Sequence, residues 1–387
     1  MQPLELIATT SFGLEAVVAR ELTQLGYTEQ RVEDGRVTFR GDAAAVCRAN
    51  LWLRSAERVL LKMGDSEARD FGALFDQTRA LPWSDWLPAD ASFPVRGKSV
   101  RSGLHSVPDC QSIVKKAVVE SLKDAYHSDW FAESGALYGI EVSILKDRAT
   151  LTIDTTGPGL HKRGYRTLSG IAPLKETLAA ALVQLSYWNS ERPLIDPFCG
   201  TGTIPIEAAM IGRNMAPGLN REFAAEAWPR IEPKLWEEAR REARDVAIAS
   251  LQETLVGTDL DENAVSLARY HAERAGVAEN IQFEAKAFAN LSTRRKYGCL
   301  ICNPPYGERS GDLEEAEAIY RETARVFKRL DTWSKYVLTS HPEFERLVGR
   351  PADRRRKLYN GRIECAYYQY QGPKPPWQRG RRENPDE

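Results

Sequence analysis

No apolar stretch in this sequence approaches the length of a membrane span, which excludes a chain threaded through a bilayer by helices. Cysteine is scarce. Six residues (Cys47, Cys110, Cys199, Cys299, Cys302, Cys365) are scattered over 387 positions. That spacing excludes a disulfide-stapled scaffold and predicts reduced thiols in the cytoplasm. Glu5 and Glu15 interrupt the first apolar stretches and no basic segment precedes them, so no secretory signal is expected. Cys299 and Cys302 form a CxxC, but no second Cys or His pair lies nearby to complete four ligands, and no metal is expected. The chain also lacks an overall basic excess, its formal net charge being −1. A nucleic-acid partner would therefore have to be met by local clusters of cations.

Such clusters exist. Arg96, Lys98, Arg101, Lys115 and Lys116 are opposed over residues 93–116 by Asp109 alone. Lys162, Arg163, Arg166 and Lys175 fall in residues 155–175, which contain no acid. Arg350, Arg354, Arg355, Arg356, Lys357 and Arg362 follow near the C-terminus, then Arg379, Arg381 and Arg382. Clusters flanking a nucleotide-handling core are the pattern expected of phosphate contacts.

The hydrophobic pattern divides the chain. Leu4–Ala8, Arg36–Arg40 and Val59–Met63 read as strands, with helices over Phe12–Leu25 and Ala43–Leu51, the latter capped by Asp42. A second region has helices at Phe71–Ala80 and Cys110–Tyr126 and a strand at Phe93–Val100. It ends in a hairpin of Tyr138–Leu145 and Ala149–Ile153. From Leu174 helices alternate with short apolar strands, the signature of a parallel α/β sheet, interrupted by a Glu-, Arg- and Trp-rich insertion at Gly212–Ser250. The polar, Pro-containing end is expected to be disordered.

Three motifs sit on this frame. Asp196-Pro197-Phe198-Cys199-Gly200-Thr201-Gly202-Thr203 joins a buried strand to a helix at the carboxyl end of the sheet, where doubly wound folds bind ligands. Its glycines allow a tight turn and close backbone approach, and it lacks the lysine of a phosphate-cradling loop. The carboxylate of Asp196 suits a cation, such as the sulfonium and α-amino groups of S-adenosylmethionine. Asp259 closes the next strand, before Leu260, where an acid typically takes both ribose hydroxyls. The third motif is Asn303-Pro304-Pro305-Tyr306, following the strand Gly298–Cys302. The lone pair of an exocyclic amine is delocalised into its ring. Accepting hydrogen bonds from both N–H groups frees that lone pair to attack a methyl. The Asn303 side-chain oxygen and the Pro304 carbonyl can be those acceptors, Pro304 and Pro305 fix the backbone, and Tyr306 offers an aromatic face to an unstacked base. Adenine N6, cytosine N4 and guanine N2 satisfy this geometry equally. Transfer is expected to be direct, with no metal and no covalent intermediate. His161, His271 and His341 are expected to be structural or RNA-facing.

These motifs, with Ala8–Glu15, Leu160–Arg166, Ala172–Leu178 and Asn303–Arg309, resemble the THUMP-containing class I RNA methyltransferases, and specifically the RlmL-like rRNA guanine-N2 enzymes. The resemblance implies an α/β fold, with a Rossmann-like methyltransferase domain at 173–372. Before it would lie an α+β ferredoxin-like domain at 1–62, a THUMP RNA-binding domain at 63–154 and a linker at 155–172; a flexible basic tail would follow at 373–387. It also implies guanine in 23S rRNA as the target, with S-adenosyl-L-methionine as cofactor. It places Asp196, Cys199, Gly200 and Gly202 around the methionine part, Asp259 on the ribose, and Asn303–Tyr306 on the base, with Pro197, Phe198, Thr201, Thr203, Leu260, Ala287, Phe288 and Asn303 also in the cofactor site. Relatives often carry an adenine-contacting acid where this chain has Ala287, beside Phe288. An adenine-N6 DNA methylase, a tRNA guanine-N2 enzyme and a non-catalytic assembly factor are the other readings.

Overall fold

The computed structural model describes residues 3–168, 174–307 and 312–378. Ala172, Pro173, Glu308, Arg309 and the tail with Arg379, Arg381 and Arg382 lie outside them. The chain forms β1 (Leu4–Thr10), α1 (Glu15–Gln24), β2 (Gln30–Glu33), β3 (Arg36–Gly41), α2 (Ala43–Trp52) and β4 (Ala56–Glu67). There follow α3 (Phe71–Arg79), β5 (Val95–Val100), α4 (Val107–Tyr126), β6 (Gly139–Leu145) and β7 (Arg148–Asp154). Next come α5 (Glu176–Gln184), β8 (Leu194–Asp196), α6 (Thr203–Gly212), α7 (Pro233–Asp245), β9 (Leu255–Asp259), α8 (Glu262–Arg274) and β10 (Ile281–Ala285). The last are β11 (Cys299–Cys302), α9 (Asp312–Arg329), β12 (Ser334–Thr339), α10 (Phe344–Val348), β13 (Arg354–Asn360) and β14 (Ile363–Tyr370). No helix among the described residues is long and apolar enough to cross a membrane.

Two units result. The first comprises Met1–Thr10, Val18–Leu160 and Pro217–Asp245. Its seven strands form one sheet, ordered β2-β3-β1-β4-β7-β6-β5. A boundary at 62/63 falls inside β4, whose first half pairs with β1 (Leu6 opposite Leu61) and whose second half pairs with β7 (Glu67 opposite Arg148). The two N-terminal regions therefore share a sheet. Asp42 caps α2 as the sequence predicts, accepting from the Ala45 N–H at 2.9 Å, and Asp70 caps α3 through Ala73 at 2.8 Å.

The insertion is also a structural part of this unit. Trp236, Ala239 and Ala243 recur at helical spacing along α7 and are buried, while its charged residues point outward. Trp236 stacks on Phe223 with ring centroids 5.4 Å apart, Trp228 stacks on Tyr138 at 4.6 Å, and Glu242 pairs with Arg48 at 2.8 Å.

The second unit comprises Ser11–Val17, His161–Ala216 and Val246–Glu387. Its sheet runs β10-β9-β8-β11-β12-β14-β13, parallel through β12, with β14 and β13 antiparallel. The basic run Arg354–Lys357 thus lies in an edge strand. Gly13 packs against that strand with φ +91°, and a Cβ there would stand 2.6 Å from the Lys357 carbonyl oxygen. Gly13→Ala is expected to cost at least about 1 kcal/mol, through backbone strain and this clash. Thermal unfolding of the full chain checks it, and an unchanged midpoint would refute the seating of Ser11–Val17 on β13.

Candidate active site

The carboxyl ends of β8, β9 and β11 converge on the motifs read from the sequence. After Asp196 the chain turns sharply through Gly202 (φ +86°) into α6. A side chain at 202 would meet Ala268 and Phe283 at 3.0 Å, so glycine is required for helix packing there. The Gly200 N–H donates to Asp259 Oδ2 at 2.9 Å, and the Asp261 N–H donates to Asp259 Oδ1 at 3.1 Å. The loop and the acid are thereby held in register before any ligand arrives.

Asp196 is 1% exposed, and its one hydrogen bond among the described residues comes from the Phe198 N–H at 3.1 Å. Burial pushes its carboxyl well above the usual range against that hydrogen bond, and the nearby charge of Asp259 pushes it further. A carboxylate buried in this way gains from a cation placed against it.

Two cavities meet here. One of about 380 Å³ is lined by Asp196, Cys199, Gly200, Thr201, Thr203 and Asn303. Another of about 830 Å³ is lined by Pro197, Asp259, Leu260, Ala287, Phe288 and the run Asn303–Tyr306. Phe198 and Asn303 line both. Gly202 lines neither and acts through the backbone turn.

Asn303 is held by a short relay. The Asn360 side-chain N–H donates to the Tyr306 hydroxyl at 3.4 Å, and that hydroxyl donates to Asn303 Oδ1. Burial pushes the Tyr306 phenol far up, so it stays a proton donor. The relay fixes which face of the Asn303 amide carries the oxygen, and that oxygen keeps a second lone pair. Behind it the Tyr320 hydroxyl donates to the Pro305 carbonyl at 2.6 Å and is 2.9 Å from Thr339 Oγ1, pinning the loop to α9 and β12. No hydrogen bond among the described residues goes to the Pro304 carbonyl.

Comparison with known proteins places the chain in a family. A family model described as "RMKL-like, methyltransferase domain" covers residues 163–369. Models of an "RlmL ferredoxin-like domain" and a "THUMP domain" cover residues 5–60 and 68–154. The chain belongs to the RlmL-like methyltransferases. It is 50% identical over 372 residues to a Bacillus subtilis (strain 168) protein named "Putative RNA methyltransferase YpsC", covering 96% of each chain. A Listeria monocytogenes structure described as a "predicted N6-adenine-specific DNA methylase" is 51% identical, with a TM-score of 0.91 over 96% of this chain and 97% of that one. SMU.472, "a putative methyltransferase complexed with SAH", is 43% identical, with a TM-score of 0.91 over 97% and 100%.

The cofactor of this methyltransferase is S-adenosyl-L-methionine, and the site's residues fit it. Asp196 lines the smaller cavity, where its carboxylate would suit a cationic methionine end, while Asp259 would offer acceptors to a ribose and Leu260 and Phe288 apolar walls to a ring. Among the described residues no group of three or more His, Cys, Asp or Glu side chains could hold a metal ion.

The basic residues part company. Arg163, expected to face RNA, is 2% exposed and paired with the fully buried Glu207 at 3.4 Å. Arg166 is tied to Glu176 at 3.2 Å, to the Leu174 carbonyl and to Thr203. Both are internal to the methyltransferase unit, because an acid lay one helix away where local sequence could not show it. In the first unit Lys115 donates to the Phe93 carbonyl and pairs with Glu133 at 2.5 Å, and Lys98 pairs with Glu141 at 2.8 Å. Arg96, Arg101, Lys116 and Lys162 are exposed.

The sequence reading missed one wall of the larger cavity. Glu315, Ala318, Ile319 and Glu322 line it from α9, and Asn360 and Ile363 line it from the β13–β14 turn. The spacing 315, 318, 319, 322 is a single helical face, a signal available once that helix is placed.

Proposed function

We propose that this chain methylates N2 of a guanine in 23S ribosomal RNA, acting in the cytoplasm. The observation that carries methylation of an exocyclic amine is the position of Asn303 at the junction of the two cavities, with acceptors on Asn303 and Pro304. RNA as the polymer is supported by the THUMP match and by the name of the Bacillus subtilis relative. Guanine and 23S rRNA rest on the family likeness. Arg96, Arg101, Lys116 and Lys162 are the cations whose exposure suits phosphate contacts.

Bound S-adenosylmethionine supplies a methyl group on a sulfonium. Asn303 Oδ1 and the Pro304 carbonyl accept the two amino hydrogens and turn the nitrogen lone pair out of conjugation. In-line transfer would form the N–C bond as the donor's S–C bond broke, and the methylated nitrogen would release its proton to water afterwards, so no residue needs a neutral-range pKa. Tyr306→Phe removes the relay that orients Asn303 while keeping the ring. Its kcat is expected to fall by roughly tenfold with little change in S-adenosylhomocysteine affinity, the size of one lost orienting hydrogen bond. An unchanged kcat would show that the hydroxyl positions nothing.

Mass-spectrometric mapping of RNA labelled by the enzyme, taken from a strain lacking its gene, tests the whole reading. N2-methylguanosine in 23S rRNA is the expected product. Labelling of tRNA would move the substrate, and N6-methyladenine made only in DNA would overturn it in favour of the activity named for the Listeria monocytogenes relative.

A further inference from the structure

On the side of the larger cavity lined by Leu260, Ala287, Phe288 and Ala289, the turn after β10 contributes no acidic side chain. The cavity nevertheless contains a carboxylate. Glu322 lines it together with Leu260, Ala287, Phe288 and Ala289. Its position is set by Arg329, whose guanidinium donates to the Ala289 carbonyl at 2.7 Å and the Leu291 carbonyl at 3.3 Å. The same guanidinium stands 3.6 Å from Glu322 Oε1. One arginine thus anchors both the turn after β10 and the carboxylate beside it. Glu322 Oε2 is taken by Arg325 at 2.9 Å, whereas Oε1 makes no hydrogen bond among the described residues and retains its lone pairs for a donor. Glu315 lies about two helical turns nearer the start of α9, and no ion pair among the described residues links it to Arg329 and the Ala289–Leu291 turn as one links Glu322.

We propose that Glu322, from α9, accepts a hydrogen bond from the exocyclic amino group of the cofactor's adenine. The bland alternative is a helix-surface ion pair with Arg325, which would have no influence on the ligand. The two differ in how the protein treats a cofactor product whose amino group has become a carbonyl. An acceptor facing an acceptor is repulsive, so the carboxylate discriminates against that analogue.

The test is calorimetric binding of S-adenosylhomocysteine and S-inosylhomocysteine to the full chain. The native protein is expected to prefer the adenosyl form. Glu322→Ala is expected to weaken it by roughly tenfold, the size of one charge-assisted hydrogen bond, while leaving the inosyl form unchanged or slightly tighter. Glu322→Gln, which keeps an acceptor, is expected to lose less. Arg325→Ala breaks only the surface pair and is expected to change neither affinity. Equal weakening of both ligands by Glu322→Ala, or of neither, would overturn the proposal, as would an equal loss in Arg325→Ala. Circular dichroism of each variant reports that α9 is intact. The outcome does not depend on which RNA is methylated.

Discussion

Asn303→Ala is expected to lower kcat for methyl transfer by about 10²–10³-fold, the usual consequence of removing one preorganised polar group from a reacting centre. Asn303 lines both cavities, and its side-chain oxygen is oriented through Tyr306 and Asn360. Alanine leaves that geometry without its acceptor. The amino nitrogen then keeps its lone pair in the ring, and the Pro304 carbonyl alone cannot draw it out. The loop should survive, because Tyr320 still holds the Pro305 carbonyl. S-adenosylhomocysteine affinity should therefore change little, since Asp196 and Asp259 remain. A loss confined to kcat identifies an interaction made in the transition state. Equal labelling of RNA from the deletion strain by wild type and Asn303→Ala would sink the assignment.

How much of this was legible beforehand follows from where each interaction's partners lie. Asp196–Thr203 could be read directly, since a buried strand, two glycines and a helix start are adjacent in sequence and their geometry is local. Asn303–Tyr306 was legible for the same reason. The shared sheet of the first unit was not. The apolar run Val59–Met63 marks only the middle of β4, and the polar half Gly64–Glu67 is strand because β7 pairs with it, a contact across more than eighty positions. The basic run Arg354–Lys357 hid β13, whose strand state is imposed by β14 (Arg354 opposite Gln369). Glu322 was hidden differently. Nothing in the sequence of α9 says which of its faces meets the turn after β10.

Arg163→Ala is expected to destabilise the methyltransferase unit by about 3–5 kcal/mol, the cost of leaving a buried charge without its partner. Arg163 lies in the acid-free segment between the N-terminal regions and the methyltransferase, and local charge pattern marks it as a phosphate contact. The structure gives it instead to Glu207 of α6, with both Oε1 and Oε2 at 3.4 Å from the guanidinium. The Tyr165 hydroxyl donates to the same carboxylate at 3.1 Å, and burial, then the Glu207 charge, pushes its phenol well up so that it remains a donor. Glu207 sits one turn into the helix that follows the cofactor loop, so this cluster supports the loop's helix from behind. Removing Arg163 leaves a fully buried carboxylate with one neutral donor. Calorimetry of the full chain should show the corresponding transition lowered by roughly 10 °C, given that about 1 kcal/mol moves a domain of this size by a few degrees. Arg163→Met combined with Glu207→Leu should recover much of the loss, because an apolar pair of similar volume removes the desolvation cost from both sides. A variant Arg163→Ala that melts like wild type and binds RNA more weakly would reverse the reading and return Arg163 to the phosphate-contacting surface.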